Sequence, residues 1–150
     1  MSIHYRIAEK LLYTYPINVM RHQEAMLKYM RIKGETDCHA QRYTREGEPA
    51  SPSDPPSDYV QRLMKAEQDV RKYSERTRVV REVRYELRRS EDARAVIMLQ
   101  VMELVYFEGM SMRDLAVHLG MNERTLYRRR EELVHEVMKK RSMLPEVSKI

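Results

Sequence analysis

Residues 108–133 read EGMSMRDLAVHLGMNERTLYRRREEL, and a few positions in this stretch decide the fold expected of the C-terminal part of the chain. Ser111 stands where a hydroxyl can accept one of the backbone N–H groups that a helix start leaves unpaired. In the short helix that follows, Leu115, Ala116 and Leu119 share one face. Ala116 is small enough for two helices to cross closely, and Gly120 falls where the connecting turn needs a residue that tolerates positive φ. Met121 packs inward from the turn, Asn122 caps the second helix, and Leu126 and Leu133 form that helix's inward stripe. The pattern predicts a helix-turn-helix over Ser111–Glu131.

The second helix carries the chemistry. With Leu126 and Leu133 facing inward, Glu123, Arg124, Tyr127 and Arg128 face out. Arg can pair with guanine and Glu can accept from cytosine in a major groove, so these four are the expected base-reading residues. Asn122, Thr125, Arg129, Arg130, Lys139 and Lys140 are the expected phosphate contacts, with Arg141 extending the same track.

The rest of the composition agrees with an all-α protein that binds a polyanion. Of 150 residues 34% are charged and only 4 are Gly, and the formal charge is +5. Lys and Arg in that excess neutralise phosphates and release their condensed counterions. The single cysteine, Cys38, cannot close an intrachain disulfide, which fits a reducing, cytoplasmic compartment. Cys38 and His39 lack a second pair of ligands, so no metal and no cofactor is expected. No apolar run is long enough to span a bilayer, and MSIHYRIAEK at the N-terminus lacks the apolar core of a signal peptide.

Four regions are expected. Residues 1–33 form an N-terminal helical region in which Ile3, Ile7, Leu11 and Leu12 fall at helical spacing, Pro16 interrupts, and a second helix ends at Gly34. Residues 34–57 hold four of the six prolines and few apolar side chains, so they read as a flexible linker. Residues 58–89 form one long amphipathic helix of about 48 Å. Its Tyr59, Leu63, Ala66, Val70, Tyr73, Thr77 and Val80 alternate spacings of four and three, a coiled-coil seam. Two arrangements cover that seam equally well: a homodimer or higher oligomer through Tyr59 to Val80, or a hairpin within one chain. Residues 90–150 hold the DNA-binding domain, with Ser90 as the N-cap of its first helix and Gly109 as that helix's stop.

The stretch YFEGMSMRDLAVHLGMNERTLYRRR resembles region four of bacterial sigma factors, in the aromatic-Glu-Gly, Ser, Leu-Ala and Thr-apolar positions. The resemblance covers roughly residues 90–137 and implies that Glu123, Arg124, Tyr127 and Arg128 read bases. Tyr127 and Arg129 depart from that family's commonest choices. The whole layout looks like phage-encoded regulators of the ArpU/RinA type, which implies activation of late phage genes by DNA binding beside the host RNA polymerase. With no Trp and one Phe the chain offers no counterpart to the aromatic promoter-melting region of a complete sigma factor.

Three functions compete. A sequence-specific, double-stranded DNA-binding transcriptional regulator fits best. A small terminase-like packaging subunit would also join a helix-turn-helix to an oligomerising helical segment, but its recognition domain commonly comes first in the chain. A protein-interaction factor docking on RNA polymerase would use the long helix instead. An enzyme is not expected, because the sequence has no phosphate loop, no Gly-rich dinucleotide fingerprint and no recognisable nucleophile arrangement. His4, His22, His39, His118 and His135 are scattered along it.

Overall fold

The computed structural model describes the backbone of residues 1–46 and 56–144 and the side chains of residues 1–35 and 58–144. Among the described residues the fold is all-α: α1 (Ile3–Glu46), α2 (Pro56–Arg89), α3 (Ala93–Gln100), a π-helix (Val101–Phe107), α4 (Met112–Leu119) and α5 (Glu123–Met143). Residues 47–55 and the side chains of Cys38 and His39 lie outside the described residues, so most of the expected linker and the one candidate metal pair do too.

The two breaks expected in the N-terminal region do not occur. Helix α1 runs through Pro16 and Gly34 without interruption. Pro16 lacks the N–H that would bond one turn back, but the residues just before it, Ala8, Leu11 and Leu12, are buried in a core that outweighs the loss. Nearby, the Thr14 hydroxyl donates to the Lys10 carbonyl (2.7 Å) and the Asn18 amide donates to the Thr14 hydroxyl (3.1 Å). Gly34 keeps a negative φ and stays helical, so its 34–46 continuation belongs to α1 and not to a linker.

The chain forms two compact units. One comprises Val19–Ser74, the later part of α1 with the earlier part of α2. Ala25, Ile32 and Ala66 are buried in it. The Tyr59 hydroxyl donates to the Ile32 carbonyl (3.2 Å), and Arg62 lies 3.7 Å from Glu35.

The other unit comprises Met1–Asn18 and Glu75–Ile150, so both ends of the chain build it. Its core joins Ala8, Leu11 and Leu12 of α1 to Val79, Val80, Val83 and Leu87 of α2 and to Leu115, Leu126, Leu133, Val134 and Val137 of the C-terminal helices. The expected domain of residues 90–150 is therefore incomplete by itself. Every seam position from Tyr59 to Val80 is buried or half-buried within the single chain. Of the two coverings left open by the sequence, the intramolecular one is present.

Local chemistry explains the boundaries of α3 and its continuation. Asp92, not Ser90, caps α3: its carboxylate accepts from the Arg94 N–H (3.0 Å), and the Ser90 hydroxyl accepts instead from the Asp92 N–H (3.2 Å). The helix then widens into a π-helix at Val101 and stops at Gly109, whose φ is +80°. The closing bond there, Met110 N–H to Leu104 carbonyl (2.8 Å), is 7→1, one residue wider than the 6→1 closure that follows an α-helix.

Candidate nucleic-acid interface

Helices α4 and α5 and the three residues between them are held by four local devices. The Ser111 hydroxyl accepts from the Asp114 N–H (3.1 Å) and starts α4. Gly120 ends it in the left-handed region at φ +63°. Around that glycine the Met121 N–H bonds the Ala116 carbonyl (2.9 Å) and the Gly120 N–H bonds the Val117 carbonyl (3.2 Å), the paired closure of a Schellman turn. The Asn122 side chain then accepts from the Arg124 N–H (2.9 Å) and opens α5. Leu115 and Ala116 on α4 and Leu126 and Leu133 on α5 are all buried, so the inward stripes read from spacing are the ones the core uses.

The opposite face of α5 is open. Glu123, Arg124, Tyr127 and Arg128 are exposed over its first two turns, Tyr127 by 48%. Among the described residues neither Arg124 nor Arg128 has an ion pair. Two guanidinium groups and a phenol on a capped helix end therefore present donors to whatever approaches.

The residues expected to bind phosphate divide into two groups. Lys139 is exposed and Thr125 half-buried, and Asn122 spends its oxygen on the cap while its amide N–H groups stay on an exposed side chain. Arg129, Arg130 and Lys140 are instead engaged within the molecule. Arg129 donates to both carboxylate oxygens of Glu132 (2.7 and 2.6 Å) with its side chain only 14% exposed. Lys140 pairs with Glu86 of α2. A run of three arginines reads as one basic patch by composition, but successive residues on a helix point about 100° apart, so only Arg128 of the three faces out.

Arg130 is the most tightly held. Its guanidinium donates to Glu9 Oε1 (2.6 Å), to the Tyr106 hydroxyl (2.9 Å) and to the Tyr13 hydroxyl (3.3 Å). The Tyr106 hydroxyl in turn donates to Glu9 (3.2 Å), and the Tyr13 and Tyr106 rings meet edge to face at 4.6 Å. Burial pushes the Tyr106 phenol well above the usual tyrosine range, against the opposing pull of its bond from Arg130. Burial also works against the charge on Arg130, but the bonds to Tyr106 and Glu9 outweigh it and hold the guanidinium protonated.

None of Glu9, Tyr13 and Tyr106 was legible as part of this site in the sequence. Glu9 is separated from Arg130 by 121 positions. The available signal was a row: Tyr5, Glu9 and Tyr13 recur every four residues and so lie along one side of α1. Tyr5 extends the contact, with its ring 6.0 Å from that of His135 on α5.

On the far side of the π-helix, Glu103 accepts from Arg84 (2.9 and 3.1 Å) and from Arg88 (3.1 Å), tying that helix to α2. Compared with protein-family models, with characterised proteins and with solved structures, the chain matches none.

Proposed function

We propose that this protein is a sequence-specific double-stranded DNA-binding regulator that uses α5 as its recognition helix. The observation that carries the reading is the exposed face of Glu123, Arg124, Tyr127 and Arg128, left without ion pairs to its two arginines at the capped start of a helix whose other face is core. Major-groove readers of this type enter with the N-terminal half of the second helix, where those four residues stand. Thr125, Lys139 and the Asn122 amide remain as phosphate contacts. Arg130 and Lys140 are reassigned to holding α5 in place, through Glu9 of α1 and Glu86 of α2, and Arg129 to an ion pair within α5 itself.

Within that class we further propose a non-enzymatic regulator of the phage late-gene type, acting beside RNA polymerase in the bacterial cytoplasm. The resemblance of residues 90–137 to sigma region four supports it.

The test is selection from a random-sequence duplex pool followed by binding titrations of the enriched duplex. A regulator of this kind enriches one motif, and the logarithm of its affinity falls with the logarithm of salt by about 0.9 per phosphate contacted. Equal affinity for the enriched duplex and the starting pool would sink the reading.

A further inference from the structure

The first three turns of α1 and the π-helix supply a partly buried polar clamp whose groups converge on one side chain of α5. We propose that Glu9, with Tyr13 and Tyr106, is a positioning element for DNA reading that sets the angle at which the first two turns of α5 meet the groove. The proposal rests on the DNA-reading assignment of α5 and adds to it a residue on the opposite end of the chain.

Helix α5 is anchored unevenly. Leu133, Val134 and Val137 hold its middle in the core, whereas Leu126 alone is buried in its first two turns. A helix held mainly at its middle can roll about its axis or tilt at its N-terminal end, which Leu126 and the turn from α4 hold. Either motion displaces Glu123, Arg124, Tyr127 and Arg128 together. Arg130 stands just after those turns, and its charge is fixed by three acceptors from two other elements.

Two of the acceptors are themselves held: Tyr106 is 3% exposed on the π-helix, and Glu9 lies on α1 beside buried Ala8, while Tyr13, exposed by 48%, leans its ring on that of Tyr106. The ring contact of Tyr5 with His135 adds a second tie between the same two helices. Base readout is sensitive to this because a bidentate Arg contact tolerates displacements of only about half an ångström before one of its two bonds is lost. Phosphate contacts from flexible side chains are more forgiving. A loosened clamp therefore costs discrimination before it costs affinity.

That asymmetry defines the experiment, performed on the full chain with the duplex enriched from a random pool and with the pool itself as probes. Glu9→Ala is expected to lower the preference for the enriched duplex over the pool by about tenfold or more, the equivalent of one charge-assisted contact. Its affinity for the pool and its helix content stay as in the wild type. Amide hydrogen exchange of residues 123–131 speeds up. Glu9→Gln keeps the shape and one acceptor, and restores most of the preference.

A purely structural role predicts a different result, parallel loss of affinity for both probes with loss of helix content and no recovery with Gln. That result overturns the proposal, as does an unchanged preference in Glu9→Ala. Should Glu9→Ala not fold, Tyr106→Phe removes the bridging hydroxyl alone, and the same preference and exchange readouts decide. If the wild-type chain itself prefers no duplex, the DNA-reading assignment fails and the positioning proposal falls with it. If wild type prefers its motif and Glu9→Ala does too, only the positioning proposal falls.

Discussion

At the scale of single residues, the structure separates side chains that read as alike in the sequence. Arg128, Arg129 and Arg130 are consecutive, yet one is exposed, one is folded onto Glu132 and one is clamped by Glu9. Arg128→Ala should therefore cost about 1 to 3 kcal/mol on the preferred duplex and little on others. Lys139→Ala should weaken all duplexes alike and reduce the salt slope by about one phosphate; titrations over a salt series measure both. Tyr106 makes a separate prediction in alkali. Its pKa is raised in the folded chain, so the neutral phenol is favoured by folding, and that contribution is fully present below the unfolded value and fades as pH rises past it. The unfolding midpoint should fall above about pH 10, the ordinary tyrosine value, and Tyr106→Phe should flatten that fall. Leu126→Asp would place an unpaired charge at a site with no solvent access and should unfold this unit, which circular dichroism would report.

At the scale of elements, caps and turns are what the sequence displays most openly. Ser111, Gly120 and Asn122 each act locally, within three residues of the group they bond, and all three stand where spacing puts them. Gly120→Ala should destabilise by about 1 kcal/mol through its left-handed backbone alone, since a Cβ there meets nothing within 4 Å. Gly120→Asn should recover part of that loss in the same thermal melts. Pro16 shows why other elements are illegible. A proline usually ends a helix, and the reason it does not here is the burial of Ala8, Leu11 and Leu12 against residues from 79 onward, information no local window contains. The π-helix is hidden for the same reason. Val101–Phe107 carries an ordinary apolar helical pattern, while the wider turn accompanies Glu103 facing Arg84 and Arg88 and Tyr106 facing Arg130.

At the scale of the whole molecule, the seam from Tyr59 to Val80 is the clearest case of a pattern with two valid readings. Alternating spacings of four and three state that a partner helix exists but not whose it is. The chain covers the seam itself, with Ala66 and Thr77 among its buried residues. Ala66→Arg should accordingly lower the unfolding midpoint by a margin that does not depend on protein concentration; a concentration-dependent midpoint would locate the partner in a second chain. A fragment beginning at Ser90 should show weak, non-cooperative thermal unfolding, because it lacks Ala8, Leu11, Leu12, Val79, Val80, Val83 and Leu87 of the core around α5. No helix of the described residues is long and apolar enough to cross a membrane. The clamp on Arg130 also has a consequence for synthesis. Glu9 leaves the ribosome 121 residues ahead of its partner, a wait on the order of ten seconds at ordinary translation rates. Until Arg130 follows, the core around α5 cannot close. A chain broken off before that point is thus left with its early apolar residues uncovered, a target for proteolysis and not a rival to finished molecules.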